Sequence, residues 1–337
     1  MPPKIATGSN SIPPVVRFAH VMAFSSFLRQ IGAPVERHFR DQRLPVLCDD
    51  PDAYVSLLKV WKFFDGAARR EELLLGWLVG SHVGDHNLNS GLLRKLETAP
   101  TLYQALLELV RLVRLEASNR AIGIQERERD ILFYTHCSGL TEAPGYSIAQ
   151  AYTISVFIDL IRYFLGSGWQ PPEIGLEELF IPPSLEDRFP QSRIIGRQKT
   201  NFVTVPRHLL HHRPQKRKKA LDESVSCPEL KDNDFKDSLC EMLRPYLAEG
   251  YPSEHFASEL MSTSVRTMTR RLFAHGLTYG KLIDNLRYEI AKDLLRDPEM
   301  RILDVAQSVG FNDQGNFTRM FRRIGGQPPR EFRRASC

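Results

Sequence analysis

Six polar side chains in the last quarter of the chain have the types and spacing that suit contacts with DNA base edges. They fall in two short segments, with Arg266, Thr269 and Arg270 in the first and Gln314, Asn316 and Arg319 in the second. Arginine can bond guanine O6 and N7 in bidentate fashion, and threonine can contact a base edge or a thymine methyl group. The chemistry predicted for this quarter is therefore binding in the major groove of duplex DNA.

A helix-turn-helix is predicted to position the second set. A short apolar helix beginning at Ile302 ends at Gly310, which can take the left-handed conformation, and a second helix begins at Asn312 or Asp313, residue types that cap exposed N–H groups. The inward side of this second helix has the spacing i, i+3, i+4, i+7, formed by Phe317, Met320, Phe321 and Ile324. The polar side chains of the second set then face outward, where a major groove can receive them.

A similar unit precedes it. Ser253 is a candidate cap for a positioning helix over 255–261, residues 262–264 form the turn, and Val265 to His275 is the candidate recognition helix. Its inward stripe is Val265, Met268 and Leu272, which leaves the first polar set outside. A connecting helix from Tyr279 to Leu295 would hold the two units about one duplex turn apart, roughly 34 Å.

A single helix pair with a glycine at the turn can be only a packing motif. Two units with outward polar sets favour DNA binding, and the pattern closely resembles the AraC/XylS family of bacterial transcription regulators. The resemblance covers about 85 residues and is carried by Val309-Gly310-Phe311, Phe317-x-Arg319-x-Phe321 and a glycine and proline beyond. The sequence departs from the family where Gln327-Pro328-Pro329 replaces the usual Thr-Pro.

The resemblance implies which residues face the groove, and these are the six named above. Gly315 occupies a place that often carries a contacting side chain, so base contacts by the second helix are expected to be weaker than by the first. The resemblance further implies a cytoplasmic regulator, an activator more often than a repressor, that forms a homodimer and contacts RNA polymerase.

The composition is that of an ordinary folded protein, with 337 residues, 42% hydrophobic residues and 25% charged residues. The length suits two domains. No apolar run approaches the roughly 20 residues that span a bilayer, so no membrane partner is predicted. Five scattered cysteines without a C-x-x-C pair indicate neither a disulfide framework nor a zinc site.

Apolar spacing and β-branched runs predict the elements of the first domain. Helices are predicted over 15–31, 53–64, 103–116 and 146–164, and strands over 121–126, 130–136, 173–180 and 201–205. After a polar stretch, an amphipathic helix is predicted over 235–248. The predicted fold is an α+β effector-binding and dimerisation domain followed by an all-α double helix-turn-helix domain. The predicted boundaries are 1–14 for a disordered leader, 15–207, 208–234 for a basic linker, and 235–337.

The first 205 residues are similar to the arabinose-binding type of effector domain found in part of that family. The resembling segments are Asp85 to Leu93, Ala99-Pro-Thr-Leu102, the hairpin strands and Asn201 to Leu210. This resemblance implies sensing of a signal and dimerisation, without naming the signal.

A dense basic run lies in the linker and is a candidate effector site. The residues that are candidates to bind the effector are Arg213, Lys216, Arg217, Lys218, Asp222 and Ser224. Two guanidinium groups four residues apart can stack on guanine rings and pair with phosphates, while a carboxylate accepts from the guanine N–H edge. The run resembles the Arg-x-x-x-Arg and Asp/Asn-x-Ser-x-x-Gly elements of PilZ-type receptors, which makes cyclic di-GMP the candidate ligand.

This resemblance has departures, and other interpretations stay open. Cys227 stands where the glycine would be, and the spacing between the two elements is shorter than usual. The run can equally be a solvated linker or a basic arm that adds phosphate contacts to the DNA-binding unit. In that case the first domain would sense a different small metabolite.

Histidine clusters raise the alternative of a metal-dependent hydrolase. His82, Asp85 and His86 lie within one turn, and His208, His211 and His212 form a second cluster. Gly80 and Gly84 disfavour a regular helix that would present His82 and His86 together, and no G-x-S-x-G, P-loop or H-E-x-x-H motif is present. We therefore predict no catalytic residues, no metal and no required cofactor. An adaptor that binds RNA through the basic run is a further alternative.

Overall fold

The computed structural model describes residues 14–71, 74–81, 96, 98–137, 140–214 and 235–336. Within these ranges the N-terminal region combines helices with two β-sheets, and the C-terminal region is helical. This agrees with the predicted order of a sheet-containing region followed by a helical one. The domain boundaries stay a prediction, since residues 215–234 lie outside the described ranges.

Two short strands organise the first half of the N-terminal region. Strand β1 (Val15–Arg17) pairs antiparallel with β2 (Tyr54–Ser56), and each strand runs directly into a helix, α1 (Phe18–Gln30) or α3 (Leu57–Glu71). Helix α2 (Val35–Gln42) lies between them in the chain. The predictions of helix over 15–31 and 53–64 were therefore wrong for their first residues, because ladder pairing between distant segments overrides local helical spacing.

A five-stranded sheet forms the second half of this region. Its strand order is β3-β4-β7-β5-β6, antiparallel except for the parallel pair β5 and β6. The strands are β3 (Arg120–Glu126), β4 (Asp130–Cys137), β5 (Glu173–Gly175), β6 (Arg193–Ile195) and β7 (Asn201–Pro206). The strand predicted over 173–180 ends early, because the amide of Glu177 donates to the Asn201 side chain at 3.0 Å and leaves the ladder.

Four helices pack with this sheet: α4 (Leu75–Gly80), α5 (Leu102–Glu116), α6 (Tyr146–Leu165) and α7 (Pro183–Arg188). Helices α4 and α6 approach closely because α4 carries glycines at the contact. A Cβ on Gly76 would lie 2.3 Å from the carbonyl oxygen of Ile148, and one on Gly80 would lie 2.5 Å from the Ser155 Cβ.

Helix α6 is a longer apolar run than the sequence interpretation allowed. It has 20 residues, and its most apolar 18-residue stretch has a mean hydropathy of 1.3, which by length and composition alone is enough for a membrane span. However, 61% of its most apolar stretch is buried within the protein, and Phe157 packs against Phe133 of the sheet with ring centroids 4.4 Å apart. This burial is typical of the central helix of a hydrophobic core.

The C-terminal region contains helices around two further hydrophobic cores. The helices are α8 (Phe235–Leu243), α9 (Glu254–Leu260), α10 (Val265–Ala274), α11 (Tyr279–Leu295), α12 (Ile302–Ser308), α13 (Gln314–Gly325) and α14 (Pro329–Ser336). The helix predicted over 235–248 is α-helical only to Leu243, and Arg244–Glu249 continues as a 3-10 turn. Pro245 is the cause, since it lacks the N–H that an α-helix requires.

A buried arginine joins the first sheet to the rest of the N-terminal region. Arg17, at the end of β1, is fully buried, pairs with Asp52 and lies 3.6 Å from the carboxylate of Glu116. Its Nε donates to the carbonyl of Leu115 at 2.8 Å, and the Tyr54 hydroxyl donates to the same carbonyl. The charge is thus both paired and hydrogen-bonded, as burial requires.

The first sheet also contacts the helical region. Val15 and Tyr54 share one hydrophobic core with Leu239 and Met242 of α8. The apolar face predicted for α8 is therefore covered partly by Val15 and Tyr54, which lie far earlier in the chain.

Replacing Gly310 by alanine should destabilise the helical region. Gly310 has φ +77°, and an added Cβ would lie 2.1 Å from the Leu247 carbonyl oxygen. The left-handed backbone alone costs an L-residue about 1–2 kcal/mol, so with the clash we expect the free energy of unfolding to fall by more than about 2 kcal/mol, measured by urea denaturation.

Gly326→Ala is the matched control. Gly326 has the same φ of +77° but nothing within 4 Å of an added Cβ, so only the backbone cost of about 1–2 kcal/mol is expected. Equal destabilisation by the two substitutions would contradict the close approach at Gly310.

Candidate nucleic-acid interface

The first helix pair of the C-terminal region begins with a capped helix. The Ser253 side chain accepts a hydrogen bond from the Phe256 amide at 3.2 Å, as its capping role predicted. Helix α9 ends at Leu260, and the chain turns through Ser262, which has a positive φ of 47°. Ser264 then caps α10 by accepting from the Thr267 amide. Short side-chain acceptors thus define the start of both helices.

Helix α10 buries one side and exposes the other. Met268 and Leu272 are fully buried against α9 and α11, as the predicted stripe requires, whereas Val265 is half-buried. The three residues predicted to contact DNA, Arg266, Thr269 and Arg270, are all exposed. Among the described residues neither of these arginines has a salt-bridge partner, so two cationic side chains stand on one exposed helix face.

The connecting helix α11 begins and ends where the sequence predicted. Gly276 takes φ +69° after α10, and Thr278 caps α11 by accepting from the Lys281 amide. The buried side of α11 contacts both hydrophobic cores, with Leu282 and Ile283 in one and Ala291 in the other. One continuous helix therefore holds the two helix pairs.

The second helix pair has the predicted turn. Gly310 takes φ +77° after α12, and the Asp313 carboxylate accepts from the Asn316 amide at 2.8 Å to start α13. Of the inward residues Phe317, Met320 and Phe321 are buried, and Ile324 is half-buried.

The predicted contact residues of α13 differ in exposure. Asn316 and Arg319 are exposed, whereas Gln314 is half-buried. The Arg319 guanidinium donates to the Asn316 side chain, so these two groups form one polar unit. Gly315 is exposed and adds no side chain. Two of the three predicted contact residues of α13 are therefore exposed, against all three of α10.

The sequence interpretation did not identify Arg287, which contacts the turn of the second helix pair. It lies on α11, is only 5% exposed, and donates to the carbonyl of Gly310 at 3.2 Å. Its guanidinium also lies 4.5 Å from the centre of the Phe311 ring and 5.4 Å from that of Tyr251. Burial lowers the pKa of Arg287, which nearby Asp284 partly offsets. An arginine on a connecting helix is usually exposed, so no local signal indicated this contact.

Several predicted residues are not brought together with this surface. Arg213 is exposed and follows the last strand of the sheet, whereas Lys216, Arg217, Lys218, Asp222 and Ser224 lie outside the described residues. His82, Asp85 and His86 also lie outside them. His208, His211 and His212 are exposed, and within the ranges that the structure describes no group of three metal-binding side chains occurs.

The first helix pair contacts the N-terminal region through charged and polar side chains. Arg43, which follows α2, pairs with Glu259 of α9 at 3.1 Å and accepts a hydrogen bond from the Tyr246 hydroxyl on its carbonyl. The Lys59 ammonium of α3 lies 5.1 Å from the centre of the Phe256 ring. Burial lowers the pKa of Lys59, and Glu259 partly offsets this. Helix α9 is thus in direct contact with two elements of the N-terminal region.

The C-terminal region is similar to a known family of domains and to parts of known regulators. Residues 257–335 match the family described as a helix-turn-helix domain, which confirms the prediction of a helix-turn-helix region in this part of the chain. The chain is 33% identical over 85 residues to the ornithine utilization regulator of Pseudomonas aeruginosa, covering 25% of each protein. It is 36% identical over 106 residues to the HTH-type transcriptional activator RhaS of Enterobacter sp. (strain 638), covering 31% of this chain and 38% of that one. The chain therefore spans well under half the length of these relatives.

One solved structure aligns over most of the chain. The crystal structure of transcriptional regulator CdpR from Pseudomonas aeruginosa has 19% sequence identity and a TM-score of 0.32, with 89% of this chain and 96% of that chain covered.

The cap of α13 should depend on pH. The amides of Asn316 and Gly315 hold the pKa of Asp313 below its ordinary value near 3.8. A carboxyl group with a lowered pKa in the folded state stabilises fully above its unfolded pKa, and this contribution is lost as the pH falls through the folded value. We expect the Asp313 carboxyl carbon, followed by NMR, to titrate below the value in an unfolded peptide.

The variant Asp313→Asn tests the assignment. Asparagine also caps helices but does not titrate in this range, so the variant should lose this part of the acid dependence of stability. A wild-type carboxyl that titrates at its unfolded value would contradict the charged cap.

Proposed function

We propose that this chain is a sequence-specific DNA-binding transcription regulator with two helix-turn-helix units. The observation that carries the proposal is the pair of exposed polar sets on α10 and α13, held by one connecting helix. Buried apolar stripes on the same two helices leave these sets as their outer faces. Recognition helices that are fixed in this way suit two successive major grooves on one side of a duplex.

Specificity and affinity come from different groups in this proposal. Arg266, Thr269 and Arg270 on α10 contact base edges, and Gln314, Asn316 and Arg319 on α13 make a weaker second set. From Tyr251 onward the chain has 14 Lys and Arg against 10 Asp and Glu, and this excess supplies phosphate contacts. Binding should therefore weaken as salt rises.

The names of two relatives support a role in the regulation of transcription. One relative carries the name of a transcriptional activator, and the other that of a regulator of ornithine utilization. We infer activation in the cytoplasm by a homodimer that contacts RNA polymerase. Binding of a small effector would order the two regions so that the DNA-binding units meet adjacent half-sites, which raises DNA affinity by linkage.

Arg270→Ala should abolish the gel shift with the preferred duplex. The preferred sequence is first selected from random duplexes with the wild-type protein, and affinities are then measured by fluorescence anisotropy at moderate salt. Loss of one base contact is worth about 1–3 kcal/mol, or about 5- to 150-fold in affinity.

Arg296→Ala is the control for charge. Arg296 is exposed near the end of α11 and pairs with Asp293 at 3.2 Å, so its loss should weaken preferred and scrambled duplexes equally and slightly. Unchanged affinity of Arg270→Ala, or equal losses on both duplexes, would argue against a base contact by Arg270.

Cyclic di-GMP remains the candidate effector for the basic run. The hypothesis rests on the residue types Arg213, Lys216, Arg217, Lys218, Asp222 and Ser224, and the exposure of Arg213 is compatible with it. A ligand at this junction would influence how the two regions are oriented. The alternative, a different metabolite bound in the N-terminal region, is supported by a cavity there that is lined by both apolar and charged side chains.

Calorimetry distinguishes these effectors. Cyclic di-GMP should release heat with the wild-type protein and none with Arg213→Ala/Arg217→Ala. The chain provides a matched control in Arg193→Ala/Arg197→Ala, which removes two exposed arginines at the same spacing elsewhere. No heat at tens of micromolar ligand, or equal heat from the first double variant, would exclude the basic run as the site.

A further inference from the structure

A cavity lies within the N-terminal region, between the first sheet and the five-stranded sheet. Its volume is about 90 Å³, and its walls come from β1, α1, α3, α5, α6 and β3. Trp61, Phe64, Leu109 and Phe157 make its surface largely apolar. We propose that this cavity binds a small, predominantly apolar carboxylate whose anionic group pairs with Arg120.

The cationic group of the cavity has donors left for a ligand. Arg120 is half-buried at the start of β3, and its Nη1 alone donates to Thr135 (3.3 Å), to Gln150 (3.2 Å) and to Thr153. These partners are neutral oxygens, and within the described part of the chain no carboxylate lies at salt-bridge distance. Its Nε and Nη2 bond to none of the described residues. A carboxylate can accept from both nitrogens in bidentate fashion.

The carboxylate of the cavity, Glu116, already has partners within the protein. Glu116 has a side chain that is 8% exposed, and its oxygens lie 3.6 Å from Arg17 and 3.2 Å from His20. His20 in turn contacts the Tyr152 hydroxyl at 3.1 Å. Because these partners occupy Glu116, the cavity lacks a group to receive an ammonium ion. Its polar chemistry therefore selects an anion and disfavours an amine.

The volume limits the size of the ligand. A buried water needs about 10–15 Å³ of such space, so this cavity has room for roughly six to nine non-hydrogen atoms. A cyclic dinucleotide is far too large, and the site is therefore distinct from the one considered for the basic run. Hexanoate and cyclohexanecarboxylate have the required size and chemistry.

The assay uses the full chain and measures binding directly, without DNA. Calorimetry and ligand-observed NMR compare hexanoate and cyclohexanecarboxylate with hexanamide, cyclohexanecarboxamide and hexylamine. The carboxylates should bind at least about tenfold more tightly than the isosteric amides, since only the anion pairs with Arg120. Equal binding of the amides, preference for hexylamine, or no carboxylate binding up to about 10 mM would overturn the proposal.

Two variants locate the site. Arg120→Gln should weaken carboxylate binding at least about tenfold, and Val156→Trp should block it by filling the cavity. Arg193→Gln, which removes an exposed arginine of the same sheet, should bind like the wild type. Thermal denaturation identifies a variant that fails to fold, and in that case the wild-type comparison of acid with amide decides. Carboxylate affinity that survives both folded variants would also overturn the proposal.

A regulatory role of this ligand rests on the proposed function, but ligand binding does not. If a carboxylate binds and the protein shows no preference for any DNA sequence, the site stands and the proposed function fails. If the protein binds its preferred duplex and no carboxylate, the site fails and the proposed function stands.

Discussion

The buried guanidinium of Arg17 is the interaction on which the arrangement of the chain depends. It fixes the end of β1 to two other segments, namely the loop at Asp52 and the end of α5, where it contacts the carbonyl of Leu115 and the carboxylate of Glu116. Removing one partner from a buried pair costs on the order of 3–5 kcal/mol. Tyr54 shares the Leu115 carbonyl and belongs to the core of the helical region. Arg17 thus links the first sheet to α5, which lines the cavity. Tyr54 of the same sheet packs in the core of the C-terminal helices.

A second buried arginine, Arg287, links separate segments of the helical region. Arg287 places a buried cation between the carbonyl of Gly310 and two aromatic rings, so the turn of the second helix pair is attached to the connecting helix. The close approach of Gly310 to the Leu247 carbonyl extends this attachment to the 3-10 turn after α8. Both helix pairs, and with them the polar faces of α10 and α13, are therefore attached to the same connecting helix.

Local signals in the sequence were enough to predict most helices of the C-terminal region. Caps at Ser253 and Asp313 and the left-handed Gly310 act over a few residues, and the structure has them as expected. Other features depend on residues far apart in the chain. Strands β1 and β2 are three residues long, too short for a period, and form only by pairing with each other. The cavity that contains Arg120 likewise requires the packing of six separate elements.

Helix α3 presents two different surfaces. Leu57, Val60, Trp61 and Phe64, at positions i, i+3, i+4 and i+7, line the cavity, whereas Lys59 contacts Phe256 of the first helix pair. A displacement of α3 that reshapes the cavity would also move the Lys59 side chain relative to α9. These fifteen residues are therefore one element shared by the cavity and the contact with the first helix pair.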